Sequence, residues 1–103
     1  MKMKDLTEIS PKVRDRVKRR DSWDGANCCI YCGSPYGVEI HHFVERSRGG
    51  MGIEQNLVSL CHRCHSRLHS GEKEIRNFCE EYLHEKYPDY TERDLIYRKE
   101  DYR

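Results

Sequence analysis
The chain has 103 residues, with 19 Lys and Arg, 18 Asp and Glu and a formal net charge of +1, which is the size of one small domain. Leu, Ile, Val and Phe make up only nineteen residues, about 18%, under the roughly 20% below which chains of high net charge stay disordered; the near-neutral balance argues against that state. Six Cys and six His are the composition by which so small an apolar core is closed with metal.

Charge runs from a basic front to an acidic tail, with +3 over residues 1–25, +1 over 26–71 and −3 over 72–103. Met1-Lys2-Met3-Lys4-Asp5 is not followed by an apolar signal-like run, and nothing approaches the roughly 18 apolar residues of a membrane span. The expectation is a soluble cytoplasmic protein with reduced thiols; in a secreted chain the same six Cys could pair as disulfides. Lys12 to Arg20 reads as a helix, with Ser10 as cap, Pro11 at its first position and Val13 and Val17 one turn apart. Its other face is mostly Arg and Lys. Gly37 to Val44 reads as a strand and Asn56 to Leu60 as a shorter one, with the glycine-rich loop Ser47-Arg48-Gly49-Gly50-Met51-Gly52 between them. A short helix fits Cys61 to Ser70, ending at Gly71 with Leu68 inward. A further helix starts near Glu72 and Glu74, carries the apolar stripe Ile75, Phe78, Cys79 and Tyr82, and stops at Pro88. Residues 89–103 either form another turn, with Thr91 as cap and Asp94 three residues on, or stay mobile.

Cys29 and Cys32 form one C-x2-C pair and Cys61 and Cys64 another, 28 residues apart. Such pairs bring two thiolates each to one tetrahedral Zn2+ at ~2.3 Å, and four thiolates leave no open position. The zinc is therefore structural, tying the basic front to the central unit. Cys28 competes with Cys29, but at the less usual C-x3-C spacing. Cys79 reads as a buried thiol. A redox C-x-x-C belongs near a βαβ pattern, which is not found here.

His65 and His69 lie four apart on the short helix, so both rings project from one face and can share an ion. Cys64 sits about 100° round the same helix, available to the zinc. His41 and His42 are neighbours on the first strand and point to opposite faces, so one can serve as a ligand and the other as a base. A Cys2His2 finger of Cys29 and Cys32 with His65 and His69 fails, because 32 residues separate Cys32 from His65 where about 12–15 are expected. His62 and His84 read as structural or exposed.

The run His41-His42-Phe43, Arg48-Gly49-Gly50 and Glu54-Gln55-Asn56 through Cys61-His62-Arg63-Cys64-His65 to His69 resembles the HNH endonuclease family, in the cysteine-containing form common in phage and prophage genomes. The likeness covers about residues 10–70. It implies a ββα-metal fold; with the N-terminal helix, four-cysteine zinc knuckle and C-terminal helix read above, the expectation is an α+β chain built on a small ββα-metal domain. The chain then divides as a single domain over 1–103, with a basic lead-in helix at 10–27, the knuckle and ββα-metal core at 28–71, and a C-terminal helix and acidic tail at 72–103.

The resemblance further implies metal-dependent hydrolysis of DNA phosphodiesters. In that reading His42 is the general base, Asn56 holds the hairpin loop and orients the His42 ring, and His65 binds the catalytic ion with His41 and His69. Many members have Asp at the position of His41. Three imidazoles suit Zn2+, Ni2+, Co2+ or Mn2+ better than Mg2+. Arg46, Arg48, Arg63 and Arg67, with the basic face of Lys12 to Arg20, are the candidate phosphate contacts. DNA is the expected partner, and phage packaging proteins, terminase among them, follow from family company, as does the cytoplasm of a bacterial host. The rival is a zinc-stabilised nucleic-acid-binding or packaging adaptor that keeps the fold without cleaving.

Overall fold
The computed structural model describes residues 3–98. Helix α1 spans Met3–Thr7 and α2 spans Pro11–Arg20. Ser10 caps α2 as the sequence predicts: its backbone is extended and its Oγ accepts from the Val13 N–H at 3.2 Å. Pro11 sits in the first turn, where no N–H is needed. Val17 is fully buried with Ile40 and Leu57, and Ile9 and Val13 pack on that cluster. This seats α2 on the central strands.

Two short strands, β1 (Ser22–Trp23) and β2 (Ala26–Asn27), pair around Asp24 (φ 52°) and Gly25 (φ 81°). Two consecutive left-handed residues make the tight turn that suits the twist of a hairpin, and Asp-Gly is its sequence signature. Strand β3 (Val38–His42) then pairs antiparallel with β4 (Leu57–Cys61), Val38 opposite Cys61 and His42 opposite Leu57. Helix α3 (His62–His69) follows β4 directly, and α4 (Lys73–Lys86) packs on α3. The two expected strands and two expected helices are all present, with ends moved by one or two residues. The second strand begins at Leu57 because Asn56 closes a 3-10 turn over Glu54–Asn56.

Every residue of β4 is buried. The larger core joins Val58 and Leu60 of this strand to Leu68 of α3 and to Ile75, Cys79 and Leu83 of α4. The buried face runs by fours through Ile75, Cys79 and Leu83, so Phe78 of the predicted stripe falls beside it: it is 36% exposed and meets the Tyr31 ring edge-on at 5.1 Å. Of the two alternatives for the segment after Pro88, the turn is present: Thr91 and Asp94 form a capping box that opens a 3-10 turn over Glu92–Leu95. The chain then runs back along the glycine loop: the Met51 N–H donates to Leu95 O at 2.8 Å and the Tyr97 N–H to Gly49 O at 2.6 Å. The end of the acidic tail, 99–103, lies outside the described residues. No helix among those described is long and apolar enough to cross a membrane.

Arg20 corrects the sequence reading of the basic face. Its guanidinium turns inward, bonding the buried Asp21 carboxylate at 2.8 and 2.9 Å and the carbonyls of Glu54 and Leu57 at 2.8 and 2.6 Å. Asp21 also accepts from the Tyr82 hydroxyl and the Ser59 N–H. A planar fork of donors suits one carboxylate and two carbonyls at once, and this network ties α2 to β4 and α4. Lys12, Arg14, Arg16, Lys18 and Arg19 remain exposed.

Candidate active site
Cys29 and Cys32 lie in a turn closed by the Gly33 N–H donating to Cys29 O at 2.9 Å, while Cys61 ends β4 and Cys64 sits in the first turn of α3. The four sulfurs lie within 4.8 Å of one another, and among the described residues no other group of three or more potential ligands does so. Cys32 Sγ and Cys61 Sγ are 3.6 Å apart, close to the ~3.8 Å edge of a tetrahedron built on ~2.3 Å metal–sulfur bonds. The cluster fits a tetrahedral metal ion. Against the upward push of burial, hydrogen bonds from the Cys64 backbone and from neighbouring thiols bring Cys61 down to about 7. Burial and the same neighbours push Cys64 up. Cys28 stands apart, its thiol donating to Ala26 O at 3.3 Å. Cys79 is buried, which pushes its thiol up to about 12.

The histidines gather on the other side of α3. The His41 and His65 rings stack, with centroids 3.5 Å apart and planes 5° from parallel, and His69 lies 6.1 Å beyond His65. Burial first, then the neighbouring His65, His42 and His62, bring His41 down to about 4, and His65 is lowered by burial and by His69. Stacked in this way, the His41 and His65 lone pairs lie in nearly parallel planes, so ligation of one ion by both needs a ring to turn. His42, Glu45, Arg48, His65, His69 and Arg76 line a cavity of about 100 Å³, with Phe43 and Leu68 as its apolar wall. Glu45 Oε1 lies 3.3 Å from His69 Nδ1. Imidazole and carboxylate donors at one mouth are chemistry that suits a borderline divalent ion.

His42 is half-buried, and its Nε2 lies 2.7 Å from Thr7 O. Burial holds it below the usual imidazole range, the Thr7 carbonyl opposing and Arg46 assisting. Asn56 is fully buried. Its Oδ1 accepts from the Val44 N–H at 2.8 Å and its Nδ2 donates to Val44 O at 3.1 Å and Met51 O at 2.9 Å, while its own carbonyl accepts from the Phe43 N–H at 2.7 Å. One side chain thus pins both ends of the loop between β3 and β4. Gly50 lies against the same turn, where a Cβ would fall 1.7 Å from Val44 O.

A family model described as HNH endonuclease matches residues 29–71, the span that carries both cysteine pairs, the strand pair and α3. Residues 29–71 form an HNH endonuclease domain. Its small α+β architecture, with antiparallel strand pairs, helices and a four-cysteine cluster, is that of a ββα-metal HNH domain. The chain is 39% identical over 62 residues to a CRISPR-associated endonuclease Cas9 of Corynebacterium diphtheriae, covering 50% of this chain and 6% of that protein. It is 43% identical over 47 residues to a type IV methyl-directed restriction enzyme of Escherichia coli, covering 44% of this chain and 17% of that one. Anaredoxin of a Nostoc species is 33% identical over 65 residues, covering 62% of this chain and 80% of that protein. The chain thus spans a small fraction of the two nuclease relatives and most of the third.

Around this HNH site the four predicted arginines have different surroundings. Arg48 is exposed at the cavity mouth and Arg63 is exposed on α3. Arg46 reaches Thr7 Oγ1 at 3.4 Å. Arg67 is engaged, pairing with Glu72 at 3.1 Å over the Tyr31 ring. Sequence reasoning missed Thr7, Glu45 and Arg76. Arg76 on α4 lies over the Phe43 ring at 4.9 Å and lines the cavity; its position one residue from the buried Ile75 was the available signal.

Proposed function
We propose that this HNH chain is a metal-dependent DNA endonuclease that hydrolyses phosphodiester bonds, with His42 as general base. The observation that carries the reading is the placement of His42 across one cavity from His65 and His69, beside a loop pinned by Asn56. A phosphodiester is an anion that repels hydroxide, so the nucleophile has to be made in place. Burial keeps His42 neutral, and a neutral imidazole takes a proton from water at neutral pH. Asn56 fixes the loop that follows His42. Arg48 and Arg76 at the cavity mouth supply positive charge for the scissile phosphate. His65, with His41 and His69, would hold a divalent ion, Zn2+, Ni2+, Mn2+, Co2+ or Mg2+. When bound, that ion supplies Lewis-acid polarisation of the phosphoryl oxygen and charge for the departing 3′ oxygen. The four cysteines hold a structural Zn2+.

DNA is the substrate in this reading, with Arg48, Arg63 and the basic face of α2 as its candidate phosphate contacts. The test is plasmid nicking with Mn2+, Ni2+ or Mg2+ added to zinc-loaded protein. His42→Ala is expected to lower the rate by roughly 10²–10⁴ with zinc content and melting transition retained. Wild-type protein that binds DNA but nicks with none of the ions would favour the non-catalytic adaptor instead.

A further inference from the structure
We propose that helix α1 is part of the active site: the Thr7 carbonyl is the positioning group that fixes the tautomer and aim of the His42 ring. The proposal rests on the nuclease reading above. A helix leaves its last carbonyls without intrahelical partners, and α1 gives two of them to the catalytic strand and loop. Leu6 O accepts from the Gly52 N–H at 2.9 Å, and Thr7 O lies 2.7 Å from His42 Nε2. A carbonyl only accepts, so in the neutral ring the proton resides on Nε2 and the lone pair on Nδ1. The tautomer of the base is thereby set from outside the hairpin.

The contact is built on both sides. A Cβ on Gly52 would lie 2.1 Å from Glu8 O and 2.9 Å from Thr7 O, so only glycine lets the loop approach the end of α1 so closely. Thr7 is 2% exposed, and Arg46 from the same loop reaches its hydroxyl at 3.4 Å. Helix and loop are thus latched through Gly52, His42 and Arg46. Asn56 spends its side-chain bonds on Val44 and Met51, so the bond to the His42 ring comes from α1, which lies outside the family-matched residues 29–71. A ring protonated on Nδ1 cannot accept the proton of water there, so loss of this contact lowers the fraction of competent base without touching DNA affinity.

The test uses full-length, zinc-loaded protein. Ring ¹⁵N NMR at a pH where imidazoles are neutral should show His42 as the Nε2–H tautomer. In Gly52→Ala, which forces α1 away from the loop, the His42 signals should move toward a mixture of tautomers. Nicking kcat should fall about tenfold to a hundredfold with KM for DNA and zinc content unchanged. An Nδ1–H tautomer in the wild type overturns the proposal, as does Gly52→Ala with wild-type tautomer and kcat. Should that variant not fold, the wild-type spectrum alone still decides. Wild-type protein with the Nε2–H tautomer that nicks with no ion would remove the nuclease reading, and with it the catalytic role of Thr7, while leaving the contact itself intact.

Discussion

Helix α3 presents two clusters that differ in how their donor atoms are gathered. On one side Cys64 joins three other sulfurs within 4.8 Å; on the other, His65 stacks flat on His41 with His69 further out. The sulfur cluster offers four donors, the number that fills a tetrahedral shell, while the imidazole cluster opens on a cavity shared with His42, Glu45 and two arginines. Each cysteine pair is brought together by a two-residue spacing, so local geometry does most of the work. The imidazole site draws on a strand, a helix, a loop and the end of α1, so its shape depends on contacts far apart in sequence.

The largest effect expected from this contrast is on the sulfur side. A strong chelator, or Cys64→Ser, should abolish the cooperative melting transition, since a structural zinc site contributes about 10–16 kcal/mol of binding free energy in small domains. A metal-free protein with an unchanged transition would break the comparison. Asn56→Ala should cost roughly 3 kcal/mol in denaturant melts, because it leaves a buried backbone N–H and two carbonyls without partners. A loss under ~1 kcal/mol would show that the loop holds itself.

Smaller effects test the polar tie between the two halves. Tyr82→Phe removes one hydrogen bond to Asp21 and should cost about 1 kcal/mol. Burial, then the Asp21 bond, push the Tyr82 hydroxyl up, so the unfolded chain ionises first. Its stabilisation is complete below about pH 10 and is lost as pH rises above that. Melts of Tyr82→Phe should therefore decline less steeply than wild type in that range, and parallel curves would exclude this role. The smallest effect concerns DNA. Arg48→Ala should reduce the slope of log affinity against log salt by about 1, and Arg67→Ala by less, since Arg67 is already paired with Glu72. Equal slopes would place the DNA elsewhere.

Much of the fold was legible because its signals are local. Ser10-Pro11 marks the start of α2, Thr91 and Asp94 announce their capping box, and the strand pair and α3 fall within two residues of their predicted ends. The Asp24-Gly25 turn is local in the same way, since Asp-Gly is the signature of a tight hairpin. Arg20 could not be read in the same way: beside Arg19 it looks like one more surface cation, and only the burial of Asp21 and the carbonyls of Glu54 and Leu57 give it partners. Thr7 has no sequence signal at all, since its part is played by a backbone carbonyl that every residue possesses.

The sequence by itself determined the four-thiol cluster and the family, because cysteine spacing and the order of His, Gly, Asn and Cys are properties of the linear chain. Tertiary structure alone decided that His41 stacks on His65, that Arg20 turns inward, and that His42 meets the end of α1. The physical reason is one of range: spacing fixes what neighbours along the chain can share, whereas the aim of a ring depends on whichever distant backbone packs against it.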